Sequence, residues 1–308
     1  MIRNKKMYKV AILLSTFNGD KFLLKQLESL KNQKSVFIKL FVIDDNSDDK
    51  TLDIIKNFKI PKKIFKSKNY RDPVKNFIFL IQNINTKFDY YAFCDQDDFW
   101  MDYKLIYSIK YLKKKNADVL GSRTIYTDEN LIPYRKSTKF KKKLSFKNSL
   151  VQSVMGGNTL IWTNNFQNKL KKLGYCRPAS HDWMIYQLAT ILQLKIIYSS
   201  KPLVFYRQHA NNVVGANLGL KNILKRIIWG LKGRYRYWHE LNRSHLFNTI
   251  KLFNVDKNFK RDLFLFYNTR KIKNPIKRII NIFFILKIYR QTKFGNILLF
   301  FAVLLGKI

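Results

Sequence analysis

YYAFCDQDDFW, residues 90–100, is an apolar run that ends in three carboxylates, Asp95, Asp97 and Asp98, within four positions. The chain around it has 308 residues with 59 Lys+Arg against 20 Asp+Glu, a formal net charge of +39, so acids are scarce and their grouping needs a reason. Eight of the 20 fall into two short groups, Asp44/Asp45/Asp48/Asp49 and Asp95/Asp97/Asp98/Asp102. Like charges this close repel one another unless a cation or donor hydrogens occupy the space between them. Each group directly follows an apolar run, where a buried parallel strand delivers its carboxyl end into a crevice. The second group reads as a metal and phosphate site.

Outward from this stretch, short apolar runs alternate with longer amphipathic segments. Lys9–Leu14 is followed by Lys21–Leu30, Phe37–Ile43 by Thr51–Phe58, and Tyr90–Cys94 by Asp102–Lys114. Strand, helix, strand, helix predicts an α/β fold with a parallel sheet. Ser47–Thr51 supplies helix-starting chemistry, and Asp102 is placed to cap a helix carrying Leu105, Ile109 and Leu112. Gly156 and Gly157 mark a turn before a strand, Asp182–Leu192 has helical period, and Lys195–Tyr198 and Leu203–Tyr206 read as two short strands. Beyond about Leu220 the character changes: residues 220–308 hold 20 Lys+Arg and 3 Asp+Glu at helical spacings. The expected division is a catalytic domain over 1–218 and a basic amphipathic helical region over 219–308.

A hydrophobic fraction of 46% excludes a disordered chain, and the length allows one large core, or one core plus a smaller appendage. The charge implies attraction to polyanions, whether nucleic acid, acidic lipid headgroups or phosphorylated substrates. Two cysteines, Cys94 and Cys176, are too few for a disulfide framework, and a reduced cytosolic setting is the simplest reading. The apolar run VAILL near the N-terminus is too short for a signal-peptide core and reads as a first strand. The longest apolar run, Ile297–Leu305, is about half of what a membrane span needs.

Several side chains are candidates for chemistry. The turn after the first strand, Ser15-Thr16-Phe17-Asn18, presents hydroxyls and backbone N–H groups to a ligand or simply caps a helix. No glycine-rich dinucleotide fingerprint or GK[ST] loop is present, which argues against NAD-linked and P-loop chemistry. Asp45, at the end of the second strand, suits a ribose hydroxyl or base imide, or else a plain turn. Asp95 and Asp97 alternate along extended backbone and suit Mn²⁺ or Mg²⁺, which prefer carboxylate oxygen and bind together with substrate phosphates. Asp182, the only acid between Glu129 and Glu240, opens a helix and is both an N-cap and a general-base candidate. His209 is open to three readings, as a metal ligand, an anion contact or a satisfied loop histidine.

Six segments taken in order, VAILLSTFNGDKFLLKQLESL, FVIDDNSDDKT, YYAFCDQDDFW with Lys104 shortly after, GGNTLIW, HDWMIYQLA and YRQHANNVVGA, resemble the family 2 glycosyltransferases of the GT-A fold. Within them the likeness is to the rhamnosyltransferase-like branch, over residues 8–216. The resemblance implies a Rossmann-like nucleotide-binding α/β fold, its mixed, mainly parallel sheet flanked by helices, and an inverting transfer of a sugar from a nucleotide-diphosphate donor, dTDP-rhamnose or a UDP-hexose. The acceptor it implies is a hydroxyl of a saccharide or lipid-linked molecule, in surface polysaccharide synthesis. It places Ser15, Thr16, Phe17, Asn18, Asp45, Asp95 and Gln96 on the nucleotide sugar, and Asp95 and Asp97 on the metal, beside which His209 stays a candidate ligand on its own reading. Asp182 becomes the catalytic base, with Trp100, Gly156, Gly157, Asn158, His181 and Trp183 on the acceptor side. Asn46 and Lys50 stand where related sequences often have glycine.

A lipid-linked acceptor would place the protein in the cytoplasm, peripheral on the inner face of the cell membrane, with Pro275–Lys307 against anionic headgroups. The alternative for that segment is a helical bundle with solvated cations. Two rival functions stand beside the transferase. One is a basic nucleic-acid-binding protein, suggested by the charge and the aromatics among Lys and Arg, which predicts no clustering of acids at strand ends; the other is a metal-dependent nucleotidyltransferase, which needs a phosphate-gripping loop that is not found.

Overall fold

The computed structural model describes residues 7–209, 212, 228–230 and 232–308. In chain order these begin with β1 (Tyr8–Thr16), α1 (Asp20–Lys31), β2 (Val36–Asp44), α2 (Thr51–Asn57), β3 (Lys62–Phe65), α3 (Pro73–Asn83), β4 (Tyr90–Cys94), β5 (Phe99–Trp100), α4 (Lys104–Lys115), β6 (Val119–Thr127) and β7 (Pro133–Lys136). Then come α5 (Phe146–Ser149), a 3-10 turn (Gly157–Thr159), β8 (Ile161–Thr163), α6 (Asn164–Leu173), α7 (His181–Ile191) and β9 (Ile196–Arg207). The remainder is helical: α8 (Arg234–Leu252), α9 (Lys257–Asn268), a 3-10 turn (Thr269–Lys271), α10 (Pro275–Ile279), a π-helical turn (Ile280–Ile285) and α11 (Lys293–Leu304). The described residues form two compact units. One takes those of Met1–Thr138, Met155–Tyr175 and Lys195–Val213, the other those of Lys139–Val154, Cys176–Leu194 and Val214–Ile308.

The first unit is a sheet in the order β3-β2-β1-β4-β8-β6-β9-β5, with β7 on β6. The long ladders β1/β2, β1/β4 and β6/β9 are parallel, while β8, β5 and β7 join through short antiparallel pairings. β4 is central, between β1 and β8, and all five of its residues are buried. A strand covered on both faces reads as an unbroken apolar run rather than an alternating one, which is why YYAFC has no polar residue. Val10, Ile12 and Leu14 of β1 face one side with Leu23, Leu27 and Leu30 of α1. On β4, Phe93 meets Phe77 of α3 at 4.9 Å and Trp162 of β8 at 4.6 Å between ring centroids. Because β1 is flanked by β2 and β4, the loops after β1, β2 and β4 all emerge at one carboxyl edge, where the strand order reverses.

Three local expectations change. The two strands expected at Lys195–Tyr198 and Leu203–Tyr206 are one strand, β9, whose pairing with β6 jumps from Ser199 to Pro202. Proline cannot supply a ladder N–H, and the bulge that accommodates it breaks the apolar alternation a sequence reader uses. Asp102 does not cap α4: residue Tyr103 occupies that position without a side-chain bond, and Asp102 pairs instead with Lys34. Lys50, in a position where related sequences favour glycine, has φ −75°, whereas Asn46 takes the left-handed value of 59°. Asparagine adopts that conformation at little cost, so the turn needs no glycine.

In the second unit, Phe146, Leu150 and Val151 of and beside α5, and Ile191 of α7, share one core with Leu246, Val255, Leu263, Ile282, Leu299 and Val303. The boundary expected at 218/219 lies outside the described residues. The described helices show that segments 139–154 and 176–194 pack with the C-terminal helices. Their starts are capped: Asp256 accepts from Asn258 N on α9, Asn274 accepts from Ile276 N and Lys277 N beside Pro275 on α10, and Thr292 accepts from Gly295 N on α11.

Candidate active site

The loops after β1 and β2 are tied to each other by side chains. Thr16 Oγ1 donates to Asp44 Oδ2 at 2.8 Å, and Asp44 also accepts from Ser47 N at 2.9 Å and Ser47 Oγ at 2.7 Å. Ser47 Oγ in turn accepts from Asn18 N at 2.9 Å, and Asn18 Oδ1 accepts from Asp48 N at 3.1 Å. Asp45 is 1% exposed. Its Oδ1 accepts from Ser67 Oγ at 2.7 Å and Tyr70 N at 2.9 Å, and its Oδ2 from Asn76 Nδ2 at 3.2 Å. Asn76 Nδ2 reaches Ser15 Oγ at 3.0 Å as well, so the expected nucleotide residues Ser15 and Asp45 share one partner. Phe17 is partly exposed, with the Arg71 guanidinium 4.3 Å from its ring centre.

Gln96 joins the acid loop to the β1 loop. Its Oε1 accepts from Phe17 N at 2.8 Å and its Nε2 donates to Phe17 O at 2.9 Å, a two-point grip on the main chain of one residue. Gly19 lies against that grip: a Cβ there would fall 2.5 Å from the Gln96 amide. A side chain at position 19 would have to displace the Gln96 amide, so close approach rather than φ favours glycine here.

Beyond Gln96 the carboxylates separate into different surroundings. Asp97 Oδ2 lies 2.8 Å from His209 Nε2, and Arg207 Nε donates to the Asp97 carbonyl at 2.8 Å. Arg207 also donates to the Glu129 carbonyl, and its guanidinium lies 4.5 Å from the Phe22 ring centre. Burial pushes Arg207 below its ordinary pKa, opposed by the charges of Asp97, Asp98 and Glu129. Asp98 is fully buried and accepts from Asn158 Nδ2 at 2.6 Å. The carbonyl of Asn158 accepts from Lys104 Nζ at 2.7 Å, and this buried ammonium lies over the Trp100 ring. Burial, then the charges of Asp97 and Asp95, pushes Asp98 far above the carboxylate range, and burial pushes Lys104 far below the amine range. Tyr206, beside this loop, is raised by burial and by the charges of Asp98, Asp95 and Asp97.

Of the residues expected on the acceptor side, Trp100 and Asn158 are therefore buried beneath the acid loop, while Gly156 is exposed and Gly157 half-buried. Asp182, His181 and Trp183 belong to the second unit. Ser180, not Asp182, holds the cap position of α7, so Asp182 sits within the first turn. It accepts from Trp183 N at 2.7 Å through Oδ1 and from Ser153 Oγ at 3.3 Å through Oδ2, and is partly exposed. A carboxylate in a first turn is favoured by the helix dipole. Trp183 is buried and donates its indole N–H to Ser149 O at 2.6 Å.

No group of three metal-binding side chains converges among the described residues. Asp97 and His209 meet at one point, with Asp95 two positions before Asp97, which fits a divalent cation held by one or two protein ligands and completed by diphosphate oxygens. It does not fit a closed protein cage. Sequence reasoning missed Arg207, Ser67 and Asn76. Arg207 left a signal, as a lone cation ending the apolar run LVFY. Ser67 and Asn76 left none, because their roles depend on a loop path that pattern does not reveal.

An α/β sheet whose switch point gathers an acid-bearing strand end is the frame of a nucleotide-sugar transferase, and solved structures of that class superpose on the chain. S. aureus TarS 1–349 in complex with UDP matches with a TM-score of 0.57 at 16% identity, over 88% of this chain and 74% of that one. The mannosyltransferase PcManGT from Pyrobaculum calidifontis, in complex with GDP-Man and Mn²⁺, matches with a TM-score of 0.51 at 11% identity, over 98% and 86%. These likenesses establish the GT-A fold. The profile of glycosyl transferase family 2 matches residues 11–173, and the chain is 34% identical over 227 residues to the dTDP-rhamnosyl transferase RfbG of Shigella flexneri, covering 70% of this chain and 78% of that protein. The chain belongs to glycosyl transferase family 2, and it is a nucleotide-sugar glycosyltransferase of the rhamnosyltransferase-like kind.

Proposed function

We propose that the chain transfers rhamnose from dTDP-rhamnose, with inversion, to a hydroxyl of a saccharide or lipid-linked acceptor in the synthesis of a surface polysaccharide. The 34% identity to a dTDP-rhamnosyl transferase supports this donor over a UDP-hexose. The observation that carries the reading is the meeting of Asp97 with His209 at 2.8 Å, at the carboxyl edge of the sheet and backed by Arg207. Asp97, His209 and Asp95 are the residues proposed to hold Mn²⁺ or Mg²⁺. Such a cation, when bound, offsets the charge that develops on the departing diphosphate. Ser15 to Asn18 and Asp45 are proposed to meet the nucleotide, which requires Asp45 to exchange at least one of its present partners.

Asp182 is proposed to take the proton of the acceptor hydroxyl. The freed oxygen bonds to the anomeric carbon, the bond from that carbon to the diphosphate oxygen breaks, and the nucleoside diphosphate leaves with the electron pair. The proposed setting is the cytoplasmic face of the cell membrane. The test is a nucleotide-sugar panel with Mn²⁺ or Mg²⁺, read as donor hydrolysis and thermal stabilisation. The reading expects dTDP-rhamnose to stand out and Asp97→Ala to lose metal-dependent donor binding. Equal metal-dependent binding by Asp97→Ala would overturn the metal assignment, and a response to a UDP-hexose alone would overturn the donor.

A further inference from the structure

The C-terminal helix pair has two apolar faces, of which only one is used for packing. On α11, Gly295, Leu299 and Val303 are buried, while Phe294, Ile297, Phe301 and Leu305 are between 46% and 53% exposed. Their spacing of three, four and four puts those four on one side of the helix. On α10 and its π-helical extension, Asn281 and Ile282 are buried, while Ile276, Ile280 and Phe284 are 65%, 44% and 69% exposed. The two helices are fixed to each other. The Arg278 guanidinium donates to Val303 O at 3.0 Å and Leu304 O at 2.6 Å, and Phe283 meets Phe300 at 6.1 Å between ring centroids. Phe300, itself partly exposed, continues to Phe301 at 5.8 Å.

Exposed apolar area of this kind needs a cover, and the charge around it selects one. Residues 263–308 contain nine Lys+Arg and no Asp or Glu. Arg270 is paired with Glu240, but the other cations would face their own kind in a second copy, whereas an anionic lipid surface complements them. The 12 residues of α11 reach only about 18 Å, short of the ~30 Å hydrocarbon core. No helix among the described residues is long and apolar enough to cross a membrane. Such a helix can lie in the interface plane with its apolar face among the acyl chains.

We propose that the stripes Ile276/Ile280/Phe284 and Phe294/Ile297/Phe301 form the docking surface of this protein for an anionic phospholipid bilayer. The aromatic and aliphatic side chains enter the interface, and the surrounding lysines and arginines meet headgroup phosphates. This deepens the membrane-face setting proposed above and is independent of which donor is used.

The experiment is flotation of the full chain with vesicles of phosphatidylcholine, with and without phosphatidylglycerol, at low and physiological salt. Binding is expected only with phosphatidylglycerol and is expected to weaken with salt. Phe284→Ser with Phe301→Ser is expected to weaken partitioning by about tenfold or more, because two half-exposed rings lose their apolar transfer. Circular dichroism and donor hydrolysis of that variant are expected to match the parent. Lys287→Gln with Lys293→Gln is expected to weaken binding to anionic vesicles while leaving the apolar stripe intact. Three results would overturn the proposal: no binding to anionic vesicles at low salt, phenylalanine variants that partition like the parent, or a lipid-free dimer that those variants dissolve. Vesicle binding without hydrolysis of dTDP-rhamnose would leave the docking surface standing and count against the proposed donor, and the converse would do the opposite.

Discussion

Replacing Lys104 by methionine removes an ammonium and keeps nearly the same volume. In the parent, Lys104 is fully buried, donates to Asn158 O at 2.7 Å and lies over the Trp100 ring, while Asn158 Nδ2 holds Asp98 at 2.6 Å. The substitution strips the Asn158 carbonyl of this donor, a loss of about 1–3 kcal/mol for a buried acceptor. Burial drives Asp98 and Lys104 toward their neutral forms, so no ion pair is broken and the lost hydrogen bond sets the cost. About 2 kcal/mol is therefore expected in all. At ~2–4 °C per kcal/mol for a domain of this size, melting should fall by roughly 4–8 °C. Asp98→Asn keeps an acceptor for Asn158. Because Lys104 and Asp98 share Asn158 as a partner, the double variant Lys104→Met/Asp98→Asn should depart from the sum of the singles by about 0.5 kcal/mol or more. Thermal unfolding by circular dichroism and tryptophan fluorescence measures both. A Lys104→Met protein that melts with the parent, or strict additivity in the double variant, would refute the reasoning.

Asp182→Asn should lower transfer by about 100-fold or more, as loss of a general base does, with donor affinity unchanged in calorimetry; near-normal turnover would sink the base assignment. His239 and His245 are buried, and burial lowers both to about 3 from 6.5. Below pH 6.5 the unfolded histidines take up protons that the folded ones refuse. Stability is therefore complete above that pH and falls by about 1.4 kcal/mol per unit per histidine as pH drops toward 3. Urea midpoints between pH 7.5 and 5 check this, and a flat profile would contradict it. Gly19→Ala, whose Cβ would meet the Gln96 amide at 2.5 Å, should raise the donor KM as Gln96→Ala does, and the double variant should be little worse than either.

YYAFC announced β4 because a strand buried on both faces has no need of polar alternation, and the same logic made the acids after it conspicuous. What pattern does not show is how neighbouring carboxylates divide their duties. Asp97 turns toward His209 and Asp98 inward to Asn158, a choice made by chain segments about 112 and 60 residues away. Asp102 shows the limit from the other side: its position invites a helix cap, yet Lys34 claims it. The continuous β9 was hidden by Pro202, and the buried role of Trp100 by its place directly after a polar loop. Local chemistry was readable, and long-range partnership was not.

The two-point grip of Gln96 on the Phe17 main chain has a bearing on engineering donor preference by swapping segments between relatives. The residue after β4 reads only main-chain atoms of the β1 loop, so it is indifferent to which side chain occupies position 17 but sensitive to the path of the chain there. The side chain at position 17 can thus be changed without loss of this grip, whereas position 19 must stay small and any transplant that alters the length of either loop must carry both. Residues 17–19 and Gln96 are thus one coupled unit of a transplant, and Ser47, Asn158 and His209, which hold Asn18, Asp98 and Asp97, must travel with it.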